Sequence, residues 1–294
     1  MRSLLVLSAA ALALSACAGD DPDIDIVDAA EVVDRPEGSA PIFTAGVEPD
    51  FMEDAEACTT MGAQTPRDIS FKGGLNTDNS PLAGDASGMN LCNIHFHAQA
   101  EHKGPGFSMY AGPAPDGGYR CNGTNDLSAA ERASYDTEHV EGVEVGDTIE
   151  VHWVHTTCDV TPGEGLGSCL SDTCESPRLR VETQVFLVVN DRNALDMTAM
   201  DYVAGDGTKV AMHQPGQIPN NTGTPVVFRG STTGPSYTDN KCSPLNVTWS
   251  VRPQCAKIDI ASLDAWAEDN VFNEDHAHGV RTLVRDPRLV SPID

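Results

Sequence analysis

The chain has 294 residues, enough for one large domain or two smaller ones with a substantial core. Eighteen Lys and Arg against 44 Asp and Glu leave a formal net charge of −26. A surface this acidic repels nucleic acid and anionic headgroups, and with no basic patch to compensate, DNA and RNA are excluded as partners.

Met1-Arg2-Ser3 carries one positive charge and leads into the apolar run Leu4 to Leu14, followed by Ser15-Ala16-Cys17. Residues 1–17 read as a secretory signal peptide, too short to span a bilayer as a permanent helix. The ending Leu14-Ser15-Ala16-Cys17 resembles the bacterial lipobox. Cys17 is therefore expected to carry a lipid, and the protein to be exported to the periplasm or cell surface, anchored to a membrane, the outer one in the expected case. Residues 18–50, rich in Asp, Glu, Ala and Pro without a sustained period, read as an acidic disordered tether. Past Cys17 come Cys58, Cys92, Cys121, Cys158, Cys169, Cys174, Cys242 and Cys255. An even number in an exported chain points to disulfides, and the absence of Cys-x-x-Cys argues against zinc ligation by these thiols. Connectivity is not legible, since eight cysteines allow on the order of 100 pairings.

The domain expected over 51–294 consists of short apolar alternations punctuated by Gly, Pro, Asn and Asp: Asp147 to Val154, Arg180 to Val189, Lys209 to Met212, Pro225 to Phe228 and Asn246 to Val251. The pattern predicts a mainly β domain. Gly205-Asp206-Gly207 reads as a hairpin turn. Helices are few: Ser128-Ala129-Ala130-Glu131 is a capping box opening a short one, and Ser262 is placed to cap Leu263 to Val271. No Gly-rich phosphate loop and no G-x-S-x-G elbow occurs, which argues against nucleotide binding and an α/β-hydrolase.

The stretch Leu91 to His102 carries the first chemistry. On a strand, His95 and His97 project from one face while Ile94 and Phe96 face the other, so the two imidazoles form a clamp for a borderline metal such as Zn²⁺. Alone, such a pair more often marks a half-buried strand with two solvent-facing histidines. The second stretch is Gly146 to His155, where Glu150 and His152 share a face. A carboxylate beside a histidine fixes its tautomer and raises its basicity, as a metal ligand requires, and Asn93 stands in the same relation to His95. Three neutral imidazoles would leave one position of a tetrahedral ion open, the arrangement of a catalytic site.

These residues resemble a known family. Asn93-Ile94-His95-Phe96-His97 is similar to the Gln-Phe-His-Phe-His strand of α-class carbonic anhydrases, and Glu150-Val151-His152-Trp153-Val154-His155 to their Glu-Leu-His-Leu-Val-His. Gln64-Thr65-Pro66-Arg67-Asp68-Ile69 resembles their Gln-Ser-Pro-Ile-Asp-Ile, Glu101-His102 their Ser-Glu-His, and Gly230-Ser231-Thr232-Thr233 with Val247-Thr248-Trp249 their Gly-Ser-Leu-Thr-Thr and Val-Thr-Trp. The shorter interval from His97 to Glu101, the missing leucine before the threonines, Gly234-Pro235 in place of Pro-Pro and the Cys-rich loops resemble the δ class more closely.

The resemblance implies a central twisted, mostly antiparallel sheet with a few short helices in a single domain. It implies Zn²⁺ on His95, His97 and His152, and reversible hydration of CO₂ to bicarbonate by zinc-bound hydroxide. It further implies an apolar substrate wall of Val154, Val247 and Trp249, and a hydroxide held by Thr232 or Thr233, whose own proton goes to Glu101. A Cys58–Cys242 disulfide is implied by the positions of these cysteines before the Gln64 segment and after the threonines. The family's proton-carrying histidine has no counterpart before Asn93. His102, His139, His155, His213, His276 and His278 could each serve by ordinary pKa alone, and the resemblance places His102 and His155 as structural neighbours of the site. Two other readings stand beside this one. A cupin would use His95, His97 and Glu101 as direct ligands for iron or manganese, and a non-catalytic extracellular module could bind zinc on the same scaffold.

Overall fold

A computed structural model describes residues 42–174, 176–205 and 212–294. Its strands are β1 (Asn90–Ala98), β2 (Phe107–Gly112), β3 (Gly118–Cys121), β4 (Thr148–Thr156), β5 (Leu179–Val189), β6 (Tyr202–Val203), β7 (Gln214–Pro215), β8 (Val226–Ser231), β9 (Asn246–Val251) and β10 (Ala256–Asp259). One α-helix, α1 (Ile260–Glu268), follows, and the other helical pieces are short 3₁₀ turns. The domain is mainly β, as the alternations predicted. Strands read at Asp147 to Val154, Arg180 to Val189, Pro225 to Phe228 and Asn246 to Val251 correspond to β4, β5, β8 and β9.

The main sheet runs β1-β4-β5-β9-β8, with β10 also paired to β5. Ladders β1/β4, β4/β5 and β8/β9 are antiparallel, while β5/β9 and β5/β10 are parallel. β9 pairs the first half of β5 and β10 its second half. The middle strands β4 and β5 are buried at every residue, because both faces of the sheet are covered. On one face Val154, Leu179, Val181, Phe228, Val247 and Trp249 join one apolar cluster. On the other, Ile94, Phe96, Val151, Trp153 and Phe186 pack with Leu263 and Trp266 of α1.

A register shift in β1 between Leu91 and Asn93 leaves Cys92 as an extra residue. Such a bulge reverses the facing of everything before it. Leu91 consequently lies in the α1-side cluster, and Cys92 joins the cluster on the histidine face.

Two helix expectations are revised. The Ser128 box forms, with the Ser128 N–H donating to Glu131 Oε2 (2.8 Å) and the Glu131 N–H to Ser128 Oγ (3.3 Å), but it opens a turn rather than a helix. The C-terminal helix starts three residues earlier than predicted, because Asp259 caps it by accepting the Ser262 N–H (3.2 Å), while the Ser262 hydroxyl donates to Asp259 O. The side chain expected to cap thus sits in the first turn and closes the capping exchange from inside.

Four disulfides join Cys58–Cys242, Cys92–Cys169, Cys121–Cys255 and Cys158–Cys174. The signal segment, Cys17, the tether up to residue 41, Asp206 and Gly207 of the expected turn, and most of the Lys209 to Met212 run lie outside the described residues. Residues 42–50 have no regular secondary structure, yet they are joined to the domain. The Phe43 backbone exchanges hydrogen bonds with the Asn125 amide (2.8 Å each way), the Gly46 N–H donates to Tyr110 O, and Glu48 receives Lys103 Nζ (2.6 Å) and the Tyr119 hydroxyl (2.8 Å). Contacts of the domain therefore begin before Phe51. Among the described residues no helix is long and apolar enough to cross a membrane.

Candidate active site

The antiparallel register sets His95 of β1 directly opposite His152 of β4, and His97 opposite Glu150. Side chains opposite one another on a shared face have Cβ atoms about 5 Å apart, so the ladder itself brings two strands' histidines together. The reacting nitrogens of His95, His97 and His152 lie within 4.8 Å of one another.

Each ring is turned by a partner on its far side. His95 Nδ1–H donates to Asn93 Oδ1 (2.6 Å), and the Asn93 amide is itself oriented by Asn93 Nδ2 donating to Gly163 O (3.0 Å). His97 Nδ1–H donates to Gly279 O (3.2 Å). His152 Nε2–H donates to Glu150 Oε1 (2.8 Å), which also accepts His102 Nδ1–H (2.6 Å), while Glu150 Oε2 accepts the His102 backbone N–H (3.1 Å). Three lone pairs remain: His95 Nε2, His97 Nε2 and His152 Nδ1. His95 Nε2 and His152 Nδ1 face each other at 3.2 Å, and His97 Nε2 is buried without a hydrogen-bond partner among the described residues. Lone pairs so placed repel unless a cation lies between them, and their donor set, three neutral imidazoles, is one that zinc takes.

Electrostatics agree. Burial, helped by the neighbouring imidazoles, pushes the His95 pKa well below its usual value. Burial likewise brings His97 down to about 4, against the opposing pull of Glu101. Both rings are neutral at pH 7, as ligands must be. Burial alone would raise the Glu150 carboxyl, but the N–H groups of His102 and His152 outweigh it and hold the pKa well below the carboxylate range.

The three histidines open into a cavity of about 380 Å³. It is lined by the apolar side chains of Val154, Val247, Trp249, Leu166, Leu179 and Val181, together with Thr232, Thr233, Glu274, His276 and His278.

The sequence model for the family described as delta carbonic anhydrase matches residues 86–262, more than half of the chain and both strands that carry the three histidines. The chain belongs to the delta carbonic anhydrase family. Among solved structures, this carbonic anhydrase is similar to a hyperthermostable carbonic anhydrase identified from an active hydrothermal vent chimney (12% identity, 82% of this chain and 91% of that one, TM-score 0.27). It is also similar to the α-carbonic anhydrase of Photobacterium profundum (18% identity, 76% and 86%, TM-score 0.26). A third is the α-carbonic anhydrase of Thermovibrio ammonificans in complex with the inhibitor sulfanilamide (14% identity, 74% and 83%, TM-score 0.23). These structural likenesses are weak, and membership rests on the sequence match. No curated protein matches the chain in sequence.

In this carbonic anhydrase Glu101 lies on the Nδ1 side of His97, at 3.5 Å, away from the converging lone pairs. That is no position for a direct ligand, and with the family match it removes the cupin reading. Glu101 Oε1 accepts the Arg281 N–H (3.1 Å), and Oε2 has no hydrogen-bond partner among the described residues. The expected link to a threonine is not formed there: the Thr232 hydroxyl pairs with Ser243 Oγ, and neither Thr232 nor Thr233 donates to Glu101. The Gln64 motif serves this loop, since Thr65 Oγ1 donates to Ser231 O (2.6 Å) and accepts the Ser231 N–H (3.1 Å). Any side chain at Gly230 would run into Thr65 Cγ2 and Trp249 Cδ1.

Of the six histidines named as proton carriers, His276 and His278 line the cavity. His102 is buried against Trp249 behind Glu150, and His155 is buried on the opposite face of β4, its Nδ1–H donating to Trp153 O (3.0 Å). The sequence points to the segment from Asn273 to Gly279 only through His276 and His278, not to Glu274 or to its course beside β1. The segment returns along β1, with the His278 N–H donating to Phe96 O and the Ala98 N–H to His278 O. Glu274 Oε1 accepts the Phe96 N–H (2.8 Å) while its Oε2 meets His278 Nε2 (3.0 Å). Beyond those two histidines, no apolar alternation marks the segment as part of the sheet. Leu179 and Val181 did carry a signal, the β5 alternation, but alternation does not say which face meets a cavity.

Proposed function

We propose that the protein hydrates CO₂ reversibly to bicarbonate and a proton, using a zinc ion held by His95 Nε2, His97 Nε2 and His152 Nδ1. The observation that carries this reading is the convergence of three imidazole lone pairs, each opposite nitrogen tied to an acceptor, at the base of an apolar cavity. Zinc in carbonic anhydrases brings the pKa of its water to about 7, a general property of these enzymes rather than a measurement on this chain, and so makes a nucleophile available at neutral pH.

The chain's own residues do the rest. Val154, Val247 and Trp249, with Leu179 and Val181, offer CO₂, which has no net dipole, a surface that competing water does not favour. Thr233 is the threonine that would orient the nucleophile by accepting a hydrogen bond from it and donating one to Glu101, with no net proton transfer, because the Thr232 hydroxyl is engaged by Ser243 and Glu101 Oε2 is an unused acceptor. His276, exposed at the cavity mouth with its ring centroid 4.9 Å from that of His278, carries the released proton to solvent. Asn93 and Glu150 hold the ligand tautomers.

Stopped-flow CO₂ hydration by metal-analysed protein tests the reading, with His152→Ala as control. Zinc-loaded protein hydrating CO₂ no faster than buffer would overturn it in favour of a non-catalytic zinc module.

The address is proposed too: export, lipidation of Cys17, and an acidic tether holding the domain off the membrane. Four disulfides suit an oxidising compartment. Metabolic labelling with a fatty-acid probe should mark the wild type and not Cys17→Ser, and an unlabelled wild type refutes the anchor.

A further inference from the structure

We infer that the Cys92–Cys169 disulfide is a positioning element of the metal centre, clamping the 163–169 loop to β1 so that the Gly163 carbonyl holds the Asn93 amide and, through it, the His95 ring. The inference rests on His95 acting as a ligand, as proposed above.

The physical chain is short. The bulge turns Cys92 out of the regular ladder onto the histidine face, immediately before Asn93. Its carbonyl, freed from the β1/β4 ladder, accepts the Gly163 N–H (3.0 Å) and the Ser168 hydroxyl (2.8 Å). Its sulfur is bonded to Cys169, 77 residues away, with both cysteines fully buried. The same loop then reaches back: Gly163 O accepts Asn93 Nδ2–H (3.0 Å), which leaves Asn93 Oδ1 facing His95 Nδ1 (2.6 Å). An Asn amide free to flip would present its NH₂ to the ring and favour the opposite tautomer, placing a proton on the nitrogen that must bind metal. The loop has no strand or α-helix to hold it, only a 3₁₀ turn from Leu166 to Cys169. It also supplies Glu164, Gly165 and Leu166 to the cavity lining, so its position shapes the site twice.

The test compares Cys92→Ala/Cys169→Ala with Cys121→Ala/Cys255→Ala, which removes a disulfide of comparable span (sequence separation 134 against 77). Two readouts are used: the His95 tautomer from imidazole ¹⁵N shifts in metal-free protein, and the zinc Kd by chelator competition. The expected result is Nδ1–H in wild type and the control, loss of that single tautomer in Cys92→Ala/Cys169→Ala, and a zinc Kd weakened about 10-fold in that variant alone. An unchanged tautomer with an unchanged Kd, or equal changes in the control, would overturn the inference. Should the double variant not fold, Cys169→Ala alone breaks the same disulfide while leaving the β1 side chain at Cys92 in place; a tautomer mixture there supports the role, and the wild-type tautomer with less than a twofold change in Kd refutes it. Wild-type protein that does not retain zinc would sink the metal reading, while the tautomer comparison, made without metal, still decides the positioning role.

Discussion

His95 Nε2 and His152 Nδ1 face each other at 3.2 Å from directly opposite positions of β1 and β4, each with its other nitrogen donating to an acceptor on its own strand. The arrangement depends on Glu150 as much as on the rings. Replacing Glu150 with Gln puts an NH₂ where an acceptor was and removes the negative charge that favours a donating His152 Nε2–H. Glu150→Gln should weaken zinc binding by about 10- to 100-fold, measured by chelator competition, with His139→Ala unchanged. Wild-type affinity in Glu150→Gln would show that the carboxylate has no part in ligand orientation.

The role proposed for Thr233 predicts a ranking of the two threonines. Thr233→Ala should lower kcat/KM by about 100-fold with zinc content intact, while Thr232→Ala loses less than about fivefold, because its hydroxyl is bonded to Ser243. The reverse ranking in stopped-flow assays would assign the orienting role to Thr232.

Proton release should be limited by His276 when buffer is scarce. His276→Ala is expected to reduce kcat by about 10-fold at low buffer, leave kcat/KM unchanged, and recover with added imidazole. A kcat insensitive to both the substitution and the imidazole would point to another exit path.

Acid sensitivity follows from buried imidazoles. Burial lowers the His155 pKa to about 4 from the usual histidine value of about 6.5, mainly by desolvation, so the unfolded chain takes up a proton between those values that the folded chain refuses. Stability of the metal-free protein is therefore full above about pH 6.5 and falls as pH drops toward 4, with His155 contributing up to about 3 kcal/mol of that loss. His95 and His97 act in the same direction. Denaturant titrations from pH 7 to 4 should give a shallower decline for His155→Gln than for wild type, and parallel curves would contradict this account.

What the sequence determined by itself was local. Alternation in Asn93 to His97 and Glu150 to His155 decided which side chains share a face, because strand sterics send neighbours to opposite sides. The spacing alone therefore grouped His95 with His97, tied Asn93 to His95 and Glu150 to His152, and made the domain mainly β. Resemblance supplied the Cys58–Cys242 pair, which the structure contains.

Everything that depended on residues distant in the chain was left to the tertiary structure. The register that sets His95 against His152 follows from packing both sheet faces, since a one-residue slip would send the histidines of one strand to the wrong side. The bulge at Cys92, the three other disulfides, the engagement of Thr232 by Ser243 and the return of Asn273 to Gly279 along β1 are likewise contacts between remote segments. Local sterics choose a face; closing long loops around a shared core chooses the partner on that face, and no short window of residues contains that choice.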